Sequence, residues 1–468
     1  MARSLIAIFA FVLVAFSGAA GQSSDIQKGV VIDKVSIVDH PGESYALYVP
    51  TTYDPSKRWP VIYGLDPGGR GAEAVEHFRS AADKYGYLVI GSNNSRNGLD
   101  GKAIFAIIQN LWKESNLRFS IDQARVVMVG FSGGAKVATA FANSCKCVFG
   151  VVGGGAGFGQ PLAPNEKPPF VYFGTAGYDD MNYTALRSLS EKLSAANAIY
   201  RMDYYDGGHR WLPVDIAEKA IAWIELQTMR RGLREKDAPF IDREFQERGA
   251  AVETYLSENK SIEAEAALRT IVRDFEGFKD TAAAKAKLAE ISSSPELKKA
   301  LKAESEAARD QERQTSELLD LARSLDSEQR QDALEKLRMT VGAIRNRADD
   351  KADASTRRAA RRTLEAVFVY AIELASGIAD PDFRPGSALE MLEVADLVRP
   401  KNGYISYLRA ALLAMTGEKK RAIEALLKAI EYGFNDRSSI DSDRRFDKLR
   451  NDPEFQKVLS RINQSKEP

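Results

Sequence analysis

Apolar residues follow two different rhythms along this chain, and the rhythm changes near residue 231. In the first part, short apolar runs stand near residues 33–38, 44–49, 59–65, 87–92, 125–129, 147–152, 169–174 and 199–205. Runs of this length, bounded by Gly, Pro, Asn and Asp, predict eight strands. Helical patterns separate most of the later ones, at about 71–85, 100–117, 133–144, 182–197 and 213–230. Strands that are apolar on both sides and alternate with helices predict an α/β domain built on a largely parallel sheet, covered on both faces. The stretch 153–169 is rich in Gly and Pro. It leaves no room for a full helix or a large lid, so an open cleft is expected above the sheet.

Beyond residue 231 the chain is dense in Ala, Leu, Glu, Lys and Arg, with long stretches free of Pro and Gly, as helical arrays are. Ala388, Leu392 and Ala395 recur 34 residues on as Ala422, Leu426 and Ala429, which is the tetratricopeptide period. Small residues seven apart let paired helices approach closely, and the leucines fill the contact. Residues 262–291, with Ala264, Ala267, Leu268 and then Ala282 to Leu288, give a fainter copy. Between them, 296–365 is strongly charged, with one apolar stripe of Leu334, Leu337, Val341 and Ile344. It reads as a solvated helical connector with one buried side, or as a partner-binding face. The expected organisation is therefore an α/β domain over 28–230, a tetratricopeptide-like helical stretch over 231–295, a charged connector over 296–365, and tetratricopeptide-like repeats over 366–468.

At the start, Arg3 precedes an apolar run over 5–16, and the small residues Ser17-Gly18-Ala19-Ala20 follow. This predicts a secretory signal peptide over 1–20, too short for a comfortable membrane span. The chain is then secreted or periplasmic, with no stable membrane span after cleavage. An oxidising location admits either a bridge between Cys145 and Cys147 or two thiols. Lys and Arg number 65 and so do Asp and Glu, so no excess charge draws the protein to nucleic acid. Three histidines and one cysteine pair form no metal-ligand spacing, and no phosphate-binding Gly-Lys loop is present. No metal and no cofactor are expected.

The chemistry concentrates after the fifth run, where Val126-Val127-Met128-Val129 leads into Gly130-Phe131-Ser132-Gly133-Gly134 and a helix of small residues. A serine between glycines on a strand-to-helix turn reads as a nucleophile elbow. A serine hydroxyl is a weak nucleophile and needs a histidine base, itself oriented by a carboxylate. His40 stands ahead of the core strands, and His77 lies in a helical pattern as a partly exposed surface residue. His209, in Asp206-Gly207-Gly208-His209-Arg210-Trp211, follows the eighth run and precedes a helix. The acid is Asp179 or Asp180, after the seventh run; the other is then a turn residue. The oxyanion would meet the amide of Gly133 and a second amide from Asp66-Pro67-Gly68-Gly69-Arg70-Gly71. Proline cannot donate, which leaves Gly68. Asn93, Asn94 and Arg96, in the loop after the fourth run, could bind a polar acyl or sugar group or simply order their own loop. Tyr178 and Trp211 could wall the site or pack beneath it.

Three stretches carry a family resemblance: Tyr45-Ala46-Leu47-Tyr48-Val49-Pro50, Asp122-Gln123-Ala124-Arg125 before the elbow, and Gly207-Gly208-His209 with Trp211. Over roughly residues 30 to 230 the chain resembles the secreted esterases of the α/β-hydrolase superfamily, the group of polyhydroxybutyrate depolymerases, feruloyl esterases and acetyl-xylan esterases. The resemblance implies an α/β-hydrolase fold of about eight strands and a Ser, Asp, His order along the chain. In such relatives the acid often precedes an aromatic or Met followed by Asn-Tyr. Asp180-Met181-Asn182-Tyr183 matches, which favours Asp180. Many relatives carry His-Gly at the oxyanion loop, where this chain has Asp66-Pro67. The expected protein is an exported serine esterase acting on a carbohydrate or short-chain ester. The alternatives are a serine peptidase of the same fold and a non-catalytic protein that binds a partner through its helical repeats.

Overall fold

Residues 26–163, 165–349, 354–377 and 383–464 are described by a computed structural model. The signal peptide expected over 1–20 lies outside them. Eight strands form one sheet: β1 Val31–Ile37, β2 His40–Tyr48, β3 Trp59–Leu65, β4 Leu88–Ser92, β5 Ile121–Phe131, β6 Gly150–Gly154, β7 Val171–Gly177 and β8 Tyr200–Tyr205. Their order is β1-β2-β4-β3-β5-β6-β7-β8. The β1–β2 and β2–β4 pairs are antiparallel, and every later pair is parallel.

Four helices make crossovers, α1 Gly71–Tyr85, α2 Gly101–Arg118, α3 Gly133–Cys145 and α4 Tyr183–Ala195, and α5 Val214–Arg230 follows the last strand and packs back on the sheet. Alternate residues of each strand point to opposite faces. Tyr63 and Met128 pack with Leu111 and Leu186 on one side, while Ile62 and Val127 pack with Phe78 and Ile221 on the other. Both faces are thus dry, which is why the strands read as unbroken apolar runs. The strand order, the crossovers and the turn after β5 define an α/β-hydrolase fold. Several boundaries differ from the sequence pattern: β2 begins four residues earlier, at His40, and β7 runs on to Gly177. β5 begins at Ile121, where it already pairs with Trp59 across an irregular register. β6 begins later than expected because a disulfide joins Cys145 to Cys147 around Lys146, whose φ of 53° turns the chain before the strand can start.

The second half is helical: α6 Ala238–Ser257, α7 Ser261–Phe275, α8 Ala282–Ser293, α9 Pro295–Arg323, α10 Arg330–Ala348, α11 Ala354–Ser376, α12 Pro385–Val398, α13 Gly403–Met415, α14 Lys419–Glu431, α15 Arg437–Ser442 and α16 Pro453–Gln464. The six recurring positions Ala388, Leu392, Ala395, Ala422, Leu426 and Ala429 are all buried, and α12 and α14 both pack against α13. Leu337, Val341 and Ile344 are buried in the same core as Leu392 and Leu426, with Leu334 at its margin. The apolar stripe of 296–365 is therefore its buried side, packed into the core of the helical half, while the rest of α9 and α10 is largely exposed.

No packing boundary falls at residue 231 either. Ala222, Leu226 and Met229 of α5 share one apolar cluster with Phe240, Leu268 and Phe275. Inside this joint Asp274 accepts hydrogen bonds from Trp223 Nε1 (2.8 Å), Arg248 Nη1 (2.9 Å) and Arg273 Nε (2.9 Å). Among the described residues no helix is long and apolar enough to cross a membrane.

Candidate active site

Ser132 sits between β5 and α3 with φ 51° and ψ −118°, backbone angles that a residue with a Cβ rarely adopts. Such strain costs on the order of 1–3 kcal/mol and persists only where the surroundings enforce it. Here the Ser132 amide donates to Gly154 O (2.8 Å), and its carbonyl accepts from Ala135 (3.1 Å) and Lys136 (3.2 Å). The flanking glycines are a steric requirement. A Cβ on Gly134 would lie 2.1 Å from Leu65 O, and one on Gly130 would lie 2.4 Å from the Gly134 carbonyl carbon.

The loops after β7 and β8 meet this turn from the side. His209 Nε2 lies 2.9 Å from Ser132 Oγ, and His209 Nδ1 lies 3.0 Å from each oxygen of Asp180. The Phe131 ring packs 4.7 Å from the imidazole. Asp180 is fully buried and is held by its own loop: the Asn182 amide donates to Oδ1 (2.8 Å), and the Asp180 amide donates to Gly177 O (3.0 Å). Asn182 Nδ2 also donates to Gly155 O (2.7 Å), tying the acid loop to the end of β6. Asp179 faces away and accepts from Arg361 Nη1 at 3.1 Å. A hydroxyl, an imidazole and a carboxylate in this chain of contacts can transfer the serine proton and stabilise the resulting imidazolium.

The oxyanion side differs from expectation. Gly133 opens α3, where the first amides of a helix have no intrahelical acceptor. The Gly68 amide, expected to be the second donor, instead donates to Asp66 Oδ1 at 2.8 Å, so it is already committed. The buried Asp66 carboxylate also accepts from Arg70 N (3.3 Å), Arg70 Nε (3.0 Å), Arg70 Nη2 (3.1 Å) and Trp211 Nε1 (2.8 Å). It is the organising centre of this loop, a role the sequence does not announce. Asn97 is a second residue missed by the sequence reading. Its amide donates to Pro67 O (2.8 Å), and its Oδ1 lies 1.9 Å from where a Cβ on Gly133 would stand.

The residues expected to contact substrate mostly have other duties. Asn93 Oδ1 accepts from the Gly71 amide (3.1 Å), and its Nδ2 donates to Asp33 O (3.0 Å). Asn94 Oδ1 accepts from the Ser44 amide (2.8 Å), and its Nδ2 donates to Gly42 O (3.2 Å). Both asparagines pin their loop to β1, β2 and α1, which consumes the polar atoms a substrate would need. Arg96 is exposed, and its backbone forms an isolated bridge with Gly68. Trp211 is buried, stacked 5.5 Å from the half-buried His77, and so packs beneath the site. Tyr178 is likewise buried. Its hydroxyl donates to Glu263 Oε1 (3.1 Å), and burial raises the pKa of that hydroxyl.

α11 lies against the loops that carry Asp180 and His209, while Ser132 and His209 themselves keep partial exposure. Arg358 donates to Asp206 Oδ1 (3.0 Å) and stacks 4.0 Å over the Tyr178 ring. Arg361 pairs with Asp179, and Arg362 Nη1 donates to Tyr178 O (3.2 Å). Glu365 Oε2 is 3.9 Å from the Cβ position of Gly208, the residue before His209, and the same carboxylate pairs with Arg399. Burial raises the Glu365 carboxyl above its ordinary pKa despite the opposing charge of Arg399. Positions 358, 361, 362 and 365 share one face of a helix.

No protein-family model matches this sequence, and no curated protein does. Solved structures similar to the chain include the fluorophosphonate-binding serine hydrolase F of Staphylococcus aureus, at 14% identity, 42% of this chain, 99% of that one and a TM-score of 0.34. A feruloyl esterase module from Clostridium thermocellum has 14% identity over 42% of this chain and 87% of that one, with the same TM-score of 0.34. The Bacillus cereus carboxylesterase has 20% identity over 39% of this chain and 93% of that one, with a TM-score of 0.31.

Proposed function

We propose that this chain is an exported serine hydrolase that cleaves carboxylic esters, with Ser132 as nucleophile, His209 as base and Asp180 as the acid that orients it. The observation that carries the proposal is the contact chain itself: a strained serine 2.9 Å from an imidazole whose other nitrogen meets a buried carboxylate at 3.0 Å. His209 Nε2 takes the proton as Ser132 Oγ attacks the ester carbonyl. The developing oxyanion lies toward the Gly133 amide and the positive end of α3. Collapse of the tetrahedral intermediate expels the alcohol, which receives the proton from His209. Water then repeats the sequence on the acyl-enzyme, with the same imidazole as base, and releases the acid.

A carbohydrate or short-chain ester as substrate is proposed from the motif resemblance over residues 30 to 230, and export from the residues at 1–20. The 34-residue recurrence with its buried small residues supports a tetratricopeptide-type arrangement of the last helices. The deciding experiment is labelling of purified protein with a fluorophosphonate probe, with the modified peptide located by mass spectrometry. Labelling at Ser132 that disappears in Ser132→Ala is the expected result. A well-folded wild-type chain that takes no label would overturn the proposal. Turnover of an aryl ester against its matched anilide then separates esterase from peptidase, and faster amide cleavage would refute the ester assignment.

A further inference from the structure

Two carbonyls flank the acid. Tyr178 O lies two residues before Asp180 and accepts from Arg362 Nη1 at 3.2 Å; Met181 O lies one residue after it and accepts from Gln311 Nε2 at 3.4 Å. The two donors belong to α11 and α9, and they are joined to each other: Arg362 Nε donates to Gln311 Oε1 at 2.7 Å. Both are buried, Arg362 at 2% exposure and Gln311 at 6%.

A buried guanidinium is costly unless its charge is matched. Among the described residues, however, no carboxylate comes within ion-pair distance of Arg362. Arg362 bonds the Gln311 oxygen and the Tyr178 carbonyl and lies over the face of Tyr183, whose ring centre is 4.7 Å away, while the Glu304 and Asp179 carboxylates supply opposite charge from beyond ion-pair distance. Burial accordingly lowers the pKa of Arg362. Tyr178 and Tyr183 belong to the segment 178–183, which carries Asp180, and Gln311 reaches the same segment through Met181 O. The outer pairs made by Arg358 and Arg361 are partly exposed, and such pairs contribute about 0–1 kcal/mol each. Among the contacts that α9 and α11 make with this loop, the buried pair is therefore the stronger, and it adds to the bonds the loop makes within itself and to Gly155 O.

We propose that Arg362 and Gln311 are positioning residues for Asp180, so that the helical half of the chain completes the hydrolytic site by clamping the acid loop on both sides. The proposal rests on the serine-hydrolase reading. The clamp acts through the peptide carbonyls of the loop and touches neither substrate nor the reacting atoms. Fixing the carboxylate to within a fraction of an ångström matters because small misplacements of a catalytic constellation cost on the order of 10²-fold in rate.

The test uses the full-length chain and the variants Arg362→Met, Arg362→Lys and Gln311→Met. Arg330→Ala serves as a control, because it breaks the pairs with Glu390 and Glu393 inside the helical half, away from the catalytic loops. For folded Arg362→Met and Gln311→Met, kcat on an aryl ester should fall about 10²-fold while KM stays within about threefold. Arg362→Lys, which keeps a donor for Tyr178 O, should recover part of the loss. Arg330→Ala should keep the wild-type kcat. Hydrogen exchange reads the clamp without any chemistry. The amides of Asp180, Asn182 and Tyr183 should exchange about tenfold faster or more in Arg362→Met, with β5 and β6 unchanged.

Variants that keep wild-type kcat, or unaltered exchange across 179–183, would overturn the clamp while leaving Ser132 labelling and the hydrolase reading in place. If Arg362→Met does not fold, Gln311→Met decides by the same criteria. A wild-type chain with neither labelling nor turnover would remove the hydrolase reading, and the positioning role with it.

Discussion

Asp179 and Asp180 are adjacent in the chain and have unlike partners, so substitution separates them cleanly. Asp180→Asn keeps the shape but loses the acceptor that fixes the His209 tautomer, and kcat should fall on the order of 10⁴-fold. Asp179→Asn releases only the partly exposed pair with Arg361 and should stay within about tenfold of wild type. Ester turnover of the two variants checks both statements. Asp66 calls for a stability measurement. Replacement by Ala strands the Gly68 amide and Trp211 Nε1 without an acceptor, which should lower the unfolding free energy by about 3 kcal/mol in denaturant titration. The serine and the histidine were legible in sequence because each needs a particular turn around it. The inward direction of the Asp66 carboxylate was not, because aspartate before proline and glycine is also what an ordinary surface turn looks like. The same ambiguity left Asn93 and Asn94 open in sequence between the substrate and their own loop, and both fasten that loop to the strands beside it.

At the scale of elements, all eight strands of the sheet could be placed in sequence, since burial on both faces leaves a continuous apolar run between polar turns. The ends were less readable. The extension of β5 back to Ile121 depends on a partner strand far away in sequence, and the delay of β6 depends on the disulfide at Cys145 and Cys147. The 34-residue recurrence was readable for a different reason: close approach of helices demands small residues at fixed spacing. Its energetic content can be measured. Leu392→Ala and Leu426→Ala each empty a fully buried site and should cost about 3 kcal/mol, seen as a lower melting temperature. What spacing could not reveal was the use of the charged face of α11. A stripe of Arg and Glu opposite an apolar stripe looks the same whether water or another part of the same chain lies beyond it. For 358, 361, 362 and 365 it is the acid and base loops that lie beyond.

For the molecule as a whole, the joint between the two halves is polar at its centre as well as apolar. Burial alone would raise the Asp274 carboxyl, but Arg273 and Arg248 outweigh it and leave the pKa below the ordinary value of 3.8. A carboxyl depressed in the folded state stabilises that state in full above 3.8, and the benefit disappears as pH falls below 3.8 and through the folded value. Asp274→Asn should therefore lower the melting temperature at neutral pH, and its gap to wild type should close in acid. Thermal scans of both proteins from pH 7 down to the limit of solubility test this.

The distance along the chain between the clamp and the loop it holds has a consequence for how the protein is made. Arg362 and Tyr178 are 184 residues apart. At about 5–20 residues per second, synthesis delivers the loop that carries Asp180 roughly 10–40 s before Arg362, and His209 some seconds after that loop. If the proposed hydrolase reading and the clamp both hold, the growing chain is latent throughout that interval, and a fragment that ends before α11 should show a lower kcat than the full chain.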